Sequence, residues 1–327
     1  MRTPALVRAL LLVGSALALA PAATSTAAPS ALPDAARFDY RLEPRQIAPG
    51  VYVFVGLRED FTPANGGNIV NTGFLVGTDG VVVIDTGPSR RYGEQMLAAL
   101  RRVTPLPVVL TINTHHHPDH FLGNQALPAA TLAALPETLH GIRKDGEAFN
   151  ENLYRMSGDW MKGTERVTPA QALAPGRRNI GGRDIEILAL DGHTPADLVL
   201  IDHASGTVFA GDLLFHDRAA TTPHAKVTHW LAALERLAAI PARQWVPGHG
   251  DPSTDDTPMR QTRAYLEWLA ATMREGAESG LDMTEMLARP IPPQFRGLAE
   301  VEREYRRSVV HLYPAAEQAV LEKARAR

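Results

Sequence analysis

Four of the 12 histidines in this 327-residue chain, together with an aspartate, fall within NTHHHPDH, Asn113 to His120. Residues two apart on an extended segment point the same way, so His115 and His117 can grip one ion together. Pro118 holds His117 out of helical geometry and turns the chain, which presents Asp119 and His120 at a helix start toward a second point nearby. One loop can thus supply two ligands to each of two ions. His116 points away from its neighbours and serves as a spacer.

A metal centre needs further ligands, and these belong at strand ends in glycine-rich loops. His193 in DGHTPAD, Asp212 in FAGDLLF and His249 in VPGHG have that setting. Asp212 lies in an otherwise apolar strand, where a carboxylate without a partner would be costly to bury. Each also has a plainer reading. A lone loop histidine is more often exposed than ligating, and a lone strand aspartate is more often a structural hydrogen-bonder.

The chain contains no cysteine, which excludes disulfides, a thiol nucleophile and thiolate ligands, and leaves histidine and carboxylate to bind any metal. At 45% hydrophobic and 21% charged, with a net charge of −3, it has the balance of a globular protein and no basic stripe for nucleic acid or anionic membrane. The N-terminus differs. Arg2 and Arg8 precede an apolar run, Ala9 to Ala20, that is short of the roughly 20 residues a bilayer span requires. Small residues follow. Residues 1–28 are therefore expected to be a signal peptide, cleaved after Ala22 or Ala27, with an uncleaved anchor as the alternative. That makes the expected location periplasmic or secreted, with no transmembrane anchor after cleavage. Removal of the two arginines would move the charge from −3 to −5.

The elements that must carry the ligands can be read from hydropathy periods. After an approach segment, 29–45, the core is expected over 46–256. VYVFVG, NIVNTGFLV and VVVID read as strands, the last two joined by the turn GTDG. SRRYGEQMLAALRRV has helical spacing, and LPVVLTINT returns to strand, with the histidine loop hanging from its end. Residues 137–164 read as a polar, mostly helical excursion over the site. RDIEILALDGHTPADLVLID and TVFAGDLLF give further strands. KVTHWLAALERLAAI carries Val227, Trp230, Leu231, Leu234 and Leu237 on one face. QWVPGHG is a short strand ending in His249, and residues 257–327 form a C-terminal helical region packed on the core.

The ordered set resembles the metallo-β-lactamase fold superfamily: Asp85 in VVVIDTG, the H-x-H-x-D-H of His115, His117, Asp119 and His120, then His193 in GHT, Asp212 in AGD and His249 in PGHG. The resemblance implies an α/β fold, an αββα four-layer sandwich with metals at the sheet edge. Carried over residue by residue, it implies that His115, His117 and His193 hold one ion and that Asp119, His120 and His249 hold another. Asp212 would bridge them, and Asp85 would stand behind the ligand loop and orient it. Two Zn²⁺ suit an all-nitrogen-and-oxygen set, with iron or manganese in one position as the alternative. Two such ions about 3.5–4 Å apart share a water and lower its pKa toward ~7, which implies hydrolysis of an electrophilic carbonyl with Asp119 helping to hold the nucleophile.

Lactam-cleaving members of that superfamily carry Cys or Ser at the position of Asp212. An aspartate there looks instead like the thioesterase (glyoxalase II-like), lactonase and sulfur-dioxygenase branches. The stretches NGGNIVNTGFLVGTDGVVVIDTGPSRRYGEQM, THHHPDHFLGNQAL, NLYRMSGDWMKGTE and TTPHAKVTHWLAAL look like the quinoprotein relay system zinc metallohydrolases, exported proteins associated with PQQ-dependent alcohol dehydrogenases. This implies a small-molecule thioester, ester or lactone substrate and a functional link to a PQQ-dependent dehydrogenase. β-Lactam hydrolysis and a non-catalytic metal-binding relay role are the competing readings. Candidate substrate contacts are Asn71, Tyr154, Arg155, Trp160, Thr222 and His224, whose plainer reading is loop packing.

Overall fold

The run Val81–Ile84 shows how the fold is built: Val82 and Ile84 face a second sheet, while Val81 and Val83 face a helix. A strand covered on both faces reads as a continuous apolar run, because alternation then has no solvent side. The computed structural model describes residues 37–326, so the expected signal peptide and residues 29–36 lie outside the described residues.

Seven strands form the first sheet, in chain order: β1 (Arg45–Ala48), β2 (Val51–Phe54), β3 (Thr72–Val76), β4 (Val81–Ile84), β5 (Val108–Ile112), β6 (Leu132–Ala134) and β7 (Gln171–Ala172). Pairing is antiparallel from β1 to β4 and parallel from β4 to β7. The second sheet has five strands: β8 (Gly176–Ile180), β9 (Arg183–Leu190), β10 (Asp197–Asp202), β11 (Thr207–Phe215) and β12 (Gln244–His249), ordered β12-β11-β10-β9-β8. Only β11 and β12 run parallel in it.

Between the sheets, Val51, Val53 and Leu75 meet Ile185, Leu198 and Phe209 in one buried cluster. Helix α1 (Arg90–Val103) covers the outer face of the first sheet through Tyr92, Met96 and Leu100. A short α2 (Pro118–Phe121) and a long α3 (Pro136–Ser157) follow β5 and β6. The outer face of the second sheet is covered by α4 (Val227–Ala238), α5 (Thr257–Glu278), α6 (Met283–Leu287) and α7 (Val301–Arg325). The result is the expected four-layer αββα order. On α4, Trp230, Leu234 and Leu237 are fully buried, as their spacing requires, and Val227 and Leu231 are partly so. Among the described residues no helix is long and apolar enough to cross a membrane.

Candidate metal centre

The strand ends at one edge of the sandwich carry the histidines. β4 stops at Asp85, a non-glycine residue with φ 56°, a left-handed conformation that aspartate tolerates better than most residues. Its carboxylate accepts the Thr114 backbone N–H at 2.8 Å and the Thr114 hydroxyl at 2.8 Å, and it meets His120 Nδ1 at 2.8 Å. Asp85 thereby ties the β5 loop down and leaves His120 Nε2 facing inward, with no contact to the cleft of its own. His117, extended at φ −77°, ψ 148°, precedes Pro118 at the first position of α2, which turns Asp119 and His120 inward.

Asp212 reaches the same place through a register irregularity in β11, where Gly211 has φ 51°. Such a bulge re-aims the side chain that follows it. Gly248 in β12 leaves the room: a Cβ there would lie 1.8 Å from Asp212 Oδ1. His249 is held by Nδ1 on the Ile69 carbonyl at 2.8 Å, and its ring stacks on Phe215. His193 is fixed from below by Trp230, and its loop is closed by Asp197, whose carboxylate accepts the backbone N–H groups of His193 and Thr194 and the Thr194 hydroxyl.

The ligand atoms of His115, His117, His193 and Asp212 lie within 4.8 Å of one another, as do those of Asp119, His120 and His249. Asp212 joins the two groups. Its Oδ2 is 3.3 Å from His193 Nε2 and 3.2 Å from His249 Nε2, and its Oδ1 is 3.1 Å from His120 Nε2. All seven side chains are buried. His115 Nε2, Asp119 Oδ2, His120 Nε2 and Asp212 Oδ1 are buried with no well-aligned hydrogen bond, the last two despite standing 3.1 Å apart. Orphaned polar atoms at this density are costly, and a divalent cation is the natural partner for four that converge on one spot. The donor set fits a metal pair.

Electrostatics in the metal-free protein agree. Burial pushes His115, His117 and His193 down, His193 to about 3, so all three are neutral donors at neutral pH. His120 runs the other way: burial opposes its charge, but Asp212, Asp85 and Asp119 raise it well above its usual range. Burial alone would raise Asp212, yet His249, His120 and His193 hold its carboxyl well below the ordinary value. Burial lifts Asp119, partly offset by His120 and His249. A proton on His120 thus stands where positive charge is needed.

A cleft opens onto this cluster, with Asp119, Asp212, His117 and His249 on its floor. Phe61, Ile69, Phe149, Leu153 and Met156 give it apolar walls, and the C-terminal half of α3 supplies the last three. Of the residues expected to touch substrate, His224 lines the cleft, and its Nδ1 meets His117 Nε2 at 2.8 Å. Asn71 does not. It is buried, accepting Gly56 N–H and donating to the Pro247 and Gly250 carbonyls, and so pins the loop beyond His249. Trp160 also falls elsewhere, packed on Phe38 and Tyr40 with its indole N–H on the Pro63 carbonyl, where it clamps the approach segment. Tyr154 is exposed on α3, as is Arg155, and neither lines the cleft, while Thr222 is buried against Ser308. His116 is wedged against Gly141, and its ligand atoms also fall within 4.8 Å of those of His117 and His224.

Residues that sequence reading passed over include Thr114, which links Asp85 to His115, together with Asp197, Arg218 and Arg307. Asp197 had a signal, since it lies four positions after His193 in a turn sequence. Arg307 had none.

The family model described as "Metallo-beta-lactamase superfamily" matches residues 65–249. A linear primary-alkylsulfatase from a Pseudomonas species is 22% identical over 278 residues, 71% of this chain and 52% of that protein. A hydroxyacylglutathione hydrolase from a Cyanothece species is 26% identical over 185 residues, 51% of this chain and 63% of that protein. The chain therefore spans between about half and two thirds of the length of these relatives. A metallo-beta-lactamase structure from Pontibacter korlensis superposes with a TM-score of 0.56 at 22% identity, covering 69% of this chain and 99% of that one, which is a likeness of fold.

Proposed function

The chain belongs to the metallo-beta-lactamase superfamily, and we propose that within it this protein is an exported, dinuclear zinc-dependent hydrolase of a thioester, ester or lactone. The observation that carries the reading is the convergence of seven buried ligand side chains, four of which line one cleft and five of which keep an orphaned polar atom. His115, His117 and His193 would hold one ion and Asp119, His120 and His249 the other, with Asp212 between them. Bound there, the ions would supply Lewis acidity, polarising the scissile carbonyl and making water nucleophilic near pH 7.

The chain's own groups do the rest. Asp85 on Nδ1 of His120 keeps that histidine's Nε2 free of a proton once a metal replaces it. Asp119 sits on the cleft floor with Oδ2 at 3.5 Å from His249 Nε2 and can accept a proton from the attacking water. The apolar wall of Phe61, Ile69, Phe149 and Met156 excludes bulk water and receives the substrate's hydrocarbon part.

An aspartate at position 212, with no cysteine in the chain, favours acyl thioesters, esters and lactones over lactams. A periplasmic or secreted location rests on the first 28 residues, and a link to a PQQ-dependent dehydrogenase rests on the stretches that resemble quinoprotein relay hydrolases. Both are part of the proposal. The test is turnover of a thioester, a lactone and nitrocefin by metal-loaded protein, with Asp119→Ala as control. Thioester or lactone cleavage lost in the variant is expected. Equal rates from both proteins would sink the hydrolase reading, and preferential nitrocefin turnover would redirect it to lactams.

A further inference from the structure

A histidine that faces a metal with one ring nitrogen carries its proton on the other, and the partner it finds there fixes the ring. Three of the five ligand histidines meet groups behind the site: His115 Nδ1 the Thr114 hydroxyl at 3.1 Å, His120 Nδ1 the Asp85 carboxylate at 2.8 Å, and His249 Nδ1 the Ile69 carbonyl at 2.8 Å. His193 Nδ1 is buried and makes no hydrogen bond. His117 is turned the other way round. Its Nδ1 stands 2.8 Å from His193 Nε2, on the ligand side, and its outward Nε2 meets His224 Nδ1 at 2.8 Å.

His224 lies in the loop between β11 and α4, and that loop is tied down around it. The buried Thr222 hydroxyl bonds the Ser308 hydroxyl of α7 at 2.8 Å. The Ala225 N–H donates to the Thr222 carbonyl at 2.9 Å, and the Lys226 N–H to the carbonyl of Gly192, next to His193, at 2.8 Å. The imidazole itself is exposed at the cleft, with the rings of His116 and Phe149 at 5.3 and 6.0 Å.

We propose that His224 is a positioning residue for the metal centre: its Nδ1 accepts the Nε2 proton of His117 and so holds that ring with Nδ1 bare toward the ion. Neutral imidazole has one proton to place. With Nδ1 given to a metal, His117 carries its proton on Nε2, so His224 must accept at Nδ1 and keep its own proton on Nε2. One contact thus sets both tautomers. It also couples the loop before α4, and through Ser308 the C-terminal helix, to the His115–His117–His193 group. The inference rests on the metal-binding part of the proposed function and not on the reaction.

Zinc affinity of that group can be read alone in a His249→Ala background, by competition with a chromophoric chelator. There, His224→Leu should weaken binding by about 10–100-fold. His224→Gln, whose Oε1 can accept the same N–H, should recover most of the loss. Because His224 is exposed, the urea midpoint of stripped protein should stay close to that of the background in both variants. In zinc-loaded protein labelled with ¹⁵N-histidine, the signal that His224→Gln removes should show a proton on Nε2 and none on Nδ1.

Equal zinc affinity with and without His224→Leu, a glutamine variant no better than the leucine one, or a proton on His224 Nδ1 would overturn the proposal. A third equivalent of zinc in wild type that His224→Leu loses would do the same, since Nδ1 would then hold a metal and not the His117 proton. The expected affinities in a protein that turns over no thioester, ester or lactone would uphold the positioning role and refute the hydrolase reading. A group that binds no zinc would refute both.

Discussion

Replacing Asp85 by asparagine tests whether a residue that never touches the cleft sets the metal centre. Asparagine tolerates the left-handed backbone at φ 56°, so the main chain should stay in place. One amide oxygen can still accept the Thr114 N–H, but the amide NH₂ then faces the Thr114 hydroxyl and His120 Nδ1, both at 2.8 Å from the oxygen it replaces. Hydrogen bonds to a charged acceptor are worth about 1.5–3 kcal/mol each. Rotation of the hydroxyl recovers part of the loss, so about 2–3 kcal/mol of stability should go from the metal-free protein. His120 has a second way out: with Asp85 neutralised it can lose its Nδ1 proton and accept there, keeping its remaining proton on Nε2, the atom that must face the metal. Either way affinity at the Asp119–His120–His249 group should fall by about 10–100-fold, the usual effect of removing a ligand's supporting carboxylate. Urea denaturation of stripped protein and competition against a chromophoric chelator read the two effects. Unchanged affinity for both ions in Asp85→Asn would refute the claim that Asp85 sets the His120 tautomer.

Other perturbations follow from the same geometry. Gly248→Ala would put a methyl 1.8 Å from Asp212 Oδ1, and because Asp212 adjoins both ligand groups, elemental analysis should find both metals lost and not one. Trp160→Ala should cost about 3–5 kcal/mol in denaturation experiments, the range for deleting a buried aromatic, while metal content stays at the wild-type level, since Trp160 packs on Phe38 and Tyr40 away from the ligands. Metal-free protein should lose stability below about pH 6.5. His115, His117, His193 (about 3) and His116 (about 4) are held down mainly by burial, whereas the unfolded chain takes up protons near 6.5. The unfolded state then binds more protons in that window, so stability falls with falling pH by up to about 1.4 kcal/mol per unit for each such histidine. His224, held down by burial, adds to the loss, and so does Asp212 nearer pH 4. Asp119, Asp197 (about 7) and Glu304, all raised chiefly by burial, each subtract up to one group's worth, so the net fall is smaller than the histidines alone would give. His120 contributes fully below its unfolded value and loses its contribution only as pH rises. A flat stability profile between pH 4.5 and 6.5 (roughly the interval between the folded and unfolded values) would contradict this.

The ligand loop was legible because histidines at positions 115, 117 and 120 around a proline have few other uses, and because the strands that carry them alternate or run apolar in ways that identify their faces. Val81–Ile84 and the Trp230–Leu234–Leu237 stripe needed no tertiary information. Direction in loops was not legible. Asn71 and Trp160 are polar and aromatic residues in segments expected to lie over the site, yet each bonds backbone of another segment, Pro247 and Gly250 for one and Pro63 for the other. Nothing local marks such a choice. The Arg307–Asp60 contact joins the two ends of the described chain, and a contact of that separation leaves no periodic trace in either segment.

The most direct test of the dinuclear site is stepwise reconstitution of chelator-stripped protein with Zn²⁺, following bound metal by elemental analysis and thioester turnover in the same samples. Two equivalents per chain are expected, with full turnover only as the second binds, and His249→Ala should stop at one. Saturation of wild type at a single equivalent with full activity, or turnover that persists in the stripped protein, would contradict the assignment.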